Sequence, residues 1–205
     1  MITLNNVTLV AASDIKIADT FKSLNNSKKH ITFNKVKLFT SKLIKPDNEI
    51  EIIGVNPITS SKDYSFFIMY ELFHHIDTEY CLITQHDGWV VNPDKWSDEF
   101  LMYDYIGAPW PSGKVGNGGF SMRTKRFLEY FNKHNKPFVP NRDNLYLEDS
   151  IITTMYYDDL INDGYTFAPE QVANKFSREV YYKNSVQHPF GFHSFRDANF
   201  IYLNH

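Results

Sequence analysis

Apolar residues are almost unbroken over residues 7–12, where Thr8 alone interrupts Val7, Leu9, Val10, Ala11 and Ala12. A run that short, closed by Ser13 and Asp14, predicts a buried strand followed by a helix N-cap. Ile17, Ala18, Phe21 and Leu24 then recur at helical spacing. Further strands are predicted over 36–40 and 49–55, with Pro57 and the Ser60-Ser61 pair marking a loop. From 64 to 76 the positions Phe66, Phe67, Met69, Tyr70, Phe73 and Ile76 outline a second amphipathic helix. A fourth strand, 80–84, runs straight into Gln85-His86-Asp87-Gly88. This alternation predicts an α/β fold with helices crossing over a mostly parallel central sheet. Ligands of such sheets bind at the carboxyl ends of the strands.

The second half is less regular. Residues 98–105 are short and aromatic, 107–113 must be a loop, and three glycines precede a strand over 120–122. Helices are expected over 124–131 and 148–160, the latter ended by Asp163-Gly164. No repeat, low-complexity tract or clear linker divides the chain. One domain spans 1–205, with a regular half over 1–90 and an irregular half over 91–205.

Composition narrows the class. The 205 residues are 42% hydrophobic and 22% charged, which excludes collagen-like and fully disordered chains. Cys81 is the sole cysteine, so no intrachain disulfide forms. Lying inside an apolar strand, it reads as an inert core thiol. A net charge of −3 provides no whole-chain basic field for polyphosphate. No apolar run reaches the roughly 18 residues of a membrane span, and the N-terminus lacks a signal-peptide layout. The expectation is a soluble cytoplasmic protein, in the host cytoplasm if viral.

Four groups of residues carry candidate chemistry. Asp87 follows a buried strand and precedes a glycine, where a carboxylate can approach a cation on phosphate oxygens; the bland alternative is a solvated Asp-Gly turn. Gly116, Gly118 and Gly119 flank Asn117 in a run that lets the backbone pass close to a ligand, or that is a plain surface turn. Glu148 and Asp149 stand side by side at a helix start, which favours the helix dipole but also suits a general base. His193, in the aromatic loop from His188, is a metal ligand, a base or a packed histidine. Glu71 and His74 have the spacing of a helical metal pair but no partner helix.

In this order, Gln85-x-Asp87-Gly88, the run from Tyr103 to Trp110, the run from Gly116 to Arg123, Glu148-Asp149 and Gly191-Phe192-His193 resemble the motifs of an uncharacterised glycosyltransferase-like family. More broadly they resemble glycosyltransferases of the GT-A type, a Rossmann-like α/β fold. The resemblance covers nearly the whole chain. It implies a nucleotide-sugar donor bound to 1–90, and an acceptor glycan and catalytic groups on 91–205. It further implies an inverting transfer assisted by Mn2+ or Mg2+, with Asp87 and His193 as metal ligands. Asp149 matches the base position, with Glu148 second. Gln85 stands where the family pattern of two acids has its first, leaving one carboxylate fewer, or placing Gln85 on the donor ribose as a substrate-binding residue instead. The donor base is expected near Ala11, Ala12, Ser13 and Thr40. The donor sugar is expected beside Gly116, Asn117, Gly118 and Gly119, with Trp110 and Tyr105 stacking on a sugar face.

Three alternatives stay open. One is the same chemistry on a modified DNA base, with Arg123, Lys125, Arg126, Lys133 and Lys136 as the basic cluster. Another is a sugar-nucleotide-binding module without activity, which Gln85 motivates. The third is a phosphotransferase or nucleotidyltransferase; against the latter stands the absence of glycine after the first strand.

Overall fold

The computed structural model describes residues 2–45, 47–180 and 188–194. Among them the strands form two sheets. The larger contains β1 (Ile2–Ala12), β2 (Ile31–Thr40), β3 (Glu51–Gly54), β4 (Tyr80–Thr84), β6 (Tyr105–Gly107) and β7 (Phe120–Thr124), in the order β3-β2-β1-β4-β7-β6. The pairs from β3 to β4 are parallel, and β7 runs antiparallel to both β4 and β6. The predicted α/β fold with a mostly parallel sheet is therefore present. The smaller sheet, β5 (Gly88–Val90), β9 (Gly191–His193) and β8 (Ser177–Arg178), was not expected. Its strands are two or three residues long, too short to show a period.

The inner half of β1 is covered on both faces. Leu9 and Ala11 enter one core with Leu38, Leu82, Phe120 and Phe176, while Val10 and Ala12 enter another with Phe39, Phe67, Ile83 and Leu128. That is the two-residue alternation of a strand between two layers. Cys81 lies in the second core, and burial pushes its thiol up to about 12.

The helices differ in detail from the sequence expectation. α1 (Ile17–Lys28) begins later than Asp14 and has no side-chain cap. Asp14 instead ties three loops together. Its carboxylate accepts the Thr40 hydroxyl at 2.5 Å, the Ser41 N–H and hydroxyl at 2.7 Å, and the Ile58 N–H at 2.7 Å. Burial opposes its charge, but these donors outweigh burial and lower its pKa to about 2. Because the folded pKa lies below the unfolded one, this stabilisation is present above the ordinary value of 3.8 and is lost as pH falls through about 2. Asp14→Ala is expected to cost about 2–3 kcal/mol in urea unfolding at pH 7, and much less near pH 2.

The predicted helix over 64–76 is compound: α2 (Ser61–Phe66), capped by Ser60, passes into a π-helical turn, Phe67–Glu71, and a 3-10 turn, Leu72–His75. The helix over 148–160 breaks at Tyr156 into α4 (Glu148–Met155) and α5 (Tyr157–Asn162). α3 (Lys125–Lys133) starts at Thr124, whose hydroxyl accepts the Phe127 N–H at 3.2 Å. α6 (Glu170–Phe176) leads into β8. A third core, with Phe127, Tyr130, Phe131, Ile151 and Ile152, seats α4 against α3 and so fixes where the acid pair lies.

Candidate functional site

Parallel β1 and β4 end at Ala12 and Thr84 on one sheet edge, and antiparallel β7 begins there, Thr84 pairing with Phe120. The glycine run preceding β7 therefore arrives beside Gln85, whose N–H donates to the Gly119 carbonyl at 2.9 Å. A cavity of about 400 Å³ opens at this edge, a volume suited to a small organic ligand. Ser13, Gln85, Asn117, Gly119, Glu148, Asp149 and His193 line it, so seven predicted site residues converge.

The remaining ones lie elsewhere. Asp87 touches the site through His193, its Oδ1 lying 3.4 Å from Nε2. Gly118 supports it from behind, donating its N–H to Asp149 Oδ2 at 3.2 Å. Ala11 is buried in the core, and its neighbour Ala12 reaches the cavity instead. Thr40 is buried and spends its hydroxyl on Asp14. Trp110 lies outside the lining and packs over Gly116, where a Cβ would meet its ring at 2.9 Å. Tyr105 is fully buried under the Arg123 guanidinium, so it cannot stack on a sugar.

The acids divide their contacts unequally. Asp149 Oδ1 accepts the Ser150 N–H at 2.7 Å while Oδ2 holds Gly118, so both oxygens anchor backbone. Glu148 Oε1 accepts Arg123 Nη2 at 2.9 Å, and Oε2 is buried without a partner. Burial raises the Glu148 pKa to about 7, partly opposed by Arg123. Burial also raises Asp149, against the two N–H donors. For His193, burial favours the neutral ring, but the carboxylates of Asp87 and Glu179 outweigh it and raise the pKa to about 9. Asp87 itself is lowered, burial being outweighed by His193.

Sequence reasoning missed Tyr64 and Glu179, which also line the cavity. Tyr64 had been assigned only a place in an amphipathic helix, yet its hydroxyl is buried without a partner close to Gln85 and Glu148. No motif surrounds Glu179. Buried side-chain polar atoms without hydrogen-bond partners cluster around the cavity. Among the described residues there are six: on Tyr64, Asp87, Asn117, Glu148, Ser177 and His193. All but Ser177 belong to the cavity or touch its lining. Native proteins leave few such atoms, so a cluster of them calls for an explanation, of which a bound ion, water or ligand is one.

No three His, Cys, Asp or Glu side chains among the described residues form a ready metal-ligand set. A smaller set is nonetheless suited to a cation. Asp87 Oδ1 has no hydrogen-bond partner, and His193 Nε2 lies 3.4 Å from it and 3.1 Å from Gln85 Oε1. A Mg2+-type ion is commonly held by one or two carboxylates together with substrate phosphates, and Asp87 would be the one carboxylate here.

The fold is that of an α/β protein, and the cavity with the grouped acids at its sheet edge is the candidate site. The chain belongs to the family described as protein of unknown function (DUF5672), whose profile matches residues 48–193. That span contains Gln85, Asp87, the glycine run, the acid pair, Glu179 and His193. No curated protein matches the chain. Among solved structures the chain is similar to the crystal structure of a glycosyltransferase involved in the glycosylation of the major capsid of PBCV-1. The TM-score is 0.60 at 15% sequence identity, over 96% of this chain and 97% of that one. That likeness shows a shared fold. No helix among the described residues is long and apolar enough to cross a membrane.

Proposed function

We propose that the protein transfers a sugar from a nucleotide-sugar to an acceptor hydroxyl, by inversion, with Mn2+ or Mg2+ on the donor diphosphate. The observation that carries this reading is the convergence of unpartnered buried polar atoms on one cavity at the carboxyl edge of the sheet. The fold likeness to a glycosyltransferase supports it.

Asp87 and His193, with Gln85 beside them, would hold the cation. When bound it would offset charge developing on the departing diphosphate. Gly119 leaves room at His193, because a Cβ there would run into the imidazole ring. The acceptor O–H would lose its proton to a carboxylate as its oxygen bonds the anomeric carbon. The bond from that carbon to the phosphate oxygen breaks, and the nucleoside diphosphate leaves. A single displacement of this kind inverts the centre.

Sequence resemblance favours Asp149 as base, but the hydrogen bonding favours Glu148. Both Asp149 oxygens anchor backbone N–H groups, whereas Glu148 Oε2 is free and Glu148 lines the cavity. Asp149 then holds the glycine run against α4. Transfer to modified DNA is weakened because three of the five residues in the basic cluster are paired within the protein. Arg123 is buried on Glu148, Arg126 pairs with Asp104, and Lys136 pairs with Asp159 at 2.6 Å.

A thermal-shift panel of UDP-, GDP-, CMP- and dTDP-sugars, with Mn2+ and with chelator, tests the reading. One nucleotide class is expected to raise the melting temperature only with metal, by about 2.7 kcal/mol of stabilisation at a hundred times Kd. No shift across the panel with Mn2+ would overturn it.

A further inference from the structure

The small sheet places a carboxylate on each side of the His193 ring. β5 runs antiparallel to β9 and pairs Gly88 with His193, so Asp87 stands next to the ring on one side. β8 runs parallel to β9, pairing Ser177 with Gly191 and Arg178 with Phe192. One residue further along, Glu179 stands beside His193 on the other side. Its Oε1 lies 3.5 Å from Nδ1, while Asp87 Oδ1 lies 3.4 Å from Nε2. The two carboxylates thus face opposite ring nitrogens, and all three side chains are largely buried.

The nitrogens are not equivalent. Two oxygens, from Gln85 and Asp87, gather at Nε2, which makes that edge the one able to share a cation with other ligands. Nδ1 is sealed from solvent without a formed hydrogen bond, and among the described residues Glu179 Oε1 is the carboxylate oxygen within ion-pair distance of it. A neutral imidazole carries one N–H and one lone pair, and the partner of one nitrogen decides which nitrogen keeps the proton. A carboxylate behind a metal-bound histidine fixes both tautomer and ring orientation.

We propose that Glu179 is a positioning residue, holding the N–H of His193 Nδ1 so that the Nε2 lone pair is presented to a divalent cation beside Asp87 and Gln85. This rests on the cation site described above, and adds a residue that neither motif nor resemblance assigns. Glu179 is not itself in the cation's ligand set, because it lies across the ring from the edge where the other oxygens gather.

The test is the affinity of the metal-free full chain for Mn2+ alone, read from the electron paramagnetic resonance of free Mn2+ at one fixed pH. Glu179→Ala is expected to weaken binding about 10–100-fold, the range for loss of such a supporting group. Glu179→Gln is expected to keep most of the affinity, because an amide oxygen still accepts the Nδ1 N–H. Melting temperatures of both variants report whether they fold. Unchanged affinity in Glu179→Ala overturns the proposal. Equal loss in both variants also overturns it, because Glu179 would then act through its charge and not by holding the ring. A wild-type chain that binds no Mn2+ removes the cation site and the proposal together. Mn2+ binding without any nucleotide-sugar binding removes the transferase reading and leaves the role of Glu179 standing.

Discussion

Glu148→Gln is expected to lower the rate of sugar transfer by about 10²–10⁴-fold, the range a positioned general base contributes. The amide keeps an oxygen for Arg123 Nη2, so the buried contact at 2.9 Å survives while the proton acceptor is gone. The donor Kd is expected to change little, because the amide keeps the shape and the Arg123 contact of the side chain. Asp149→Asn makes the necessary comparison. Its remaining oxygen can keep one of the two N–H contacts, to Gly118 or Ser150, so the loss should be smaller and should include weaker substrate binding as the glycine run loosens. Steady-state kinetics on both variants decide between the carboxylates. If Asp149→Asn loses turnover and Glu148→Gln does not, the roles are reversed.

The same assignment fixes a pH dependence. A base acts in its ionised form, and burial has raised Glu148 to about 7. Transfer by the wild-type protein should therefore climb through neutral pH, with a limb near 7 that is absent in Glu148→Gln. A flat profile from pH 6 to 8 would count against Glu148.

How much of this was legible in the sequence depended on the range of the signals. The almost unbroken apolar runs of β1 and β4 pointed to buried strands, and the residues just past β4 stand at the sheet edge where the cavity opens. Gln85, Asn117, Gly119, Glu148, Asp149 and His193 converge as their order along the chain suggested. The failures are tertiary. Thr40 stands at a strand end like Ala12, but Asp14 captures it through a loop contact 26 residues away in sequence. Tyr105 and Trp110 were aromatic and near glycines, yet one is needed under Arg123 and the other over Gly116. Glu179 becomes visible only once β8 aligns with β9, a pairing of two residues that no periodicity can reveal. Arg123 was placed in a surface basic cluster because its neighbours in sequence are charged. Strand alternation turns it inward, and only the partner on α4 explains how an arginine is held there.

That partner makes Arg123→Leu the most damaging change to stability. Arg123 and Glu148 are both almost fully buried and meet at 2.9 Å. The guanidinium also stacks on the Tyr105 ring, 4.7 Å from its centroid, and donates to the Ser121 hydroxyl at 3.3 Å. Removing one member of a buried pair leaves the other charge uncompensated, at a cost of about 3–5 kcal/mol. In a chain of this size that corresponds to a fall in melting temperature of roughly 10 °C. The loss should depend on pH in a direction that can be stated beforehand. Without Arg123, burial acts on Glu148 against His193 alone among the opposing groups, so its folded pKa rises further above the unfolded value. Stability gained by protonating Glu148 is fully present below the ordinary carboxylate range and is lost as pH rises through the folded pKa. Arg123→Leu should accordingly be less destabilised at pH 5 than at pH 8. Adding Glu148→Gln should recover part of the loss at pH 8 and little at pH 5, because the neutral amide removes the same buried charge that protonation removes. Denaturant unfolding of the two single variants and the double variant at both pH values measures this. Additive losses at pH 8 would mean that the two side chains do not act as a pair.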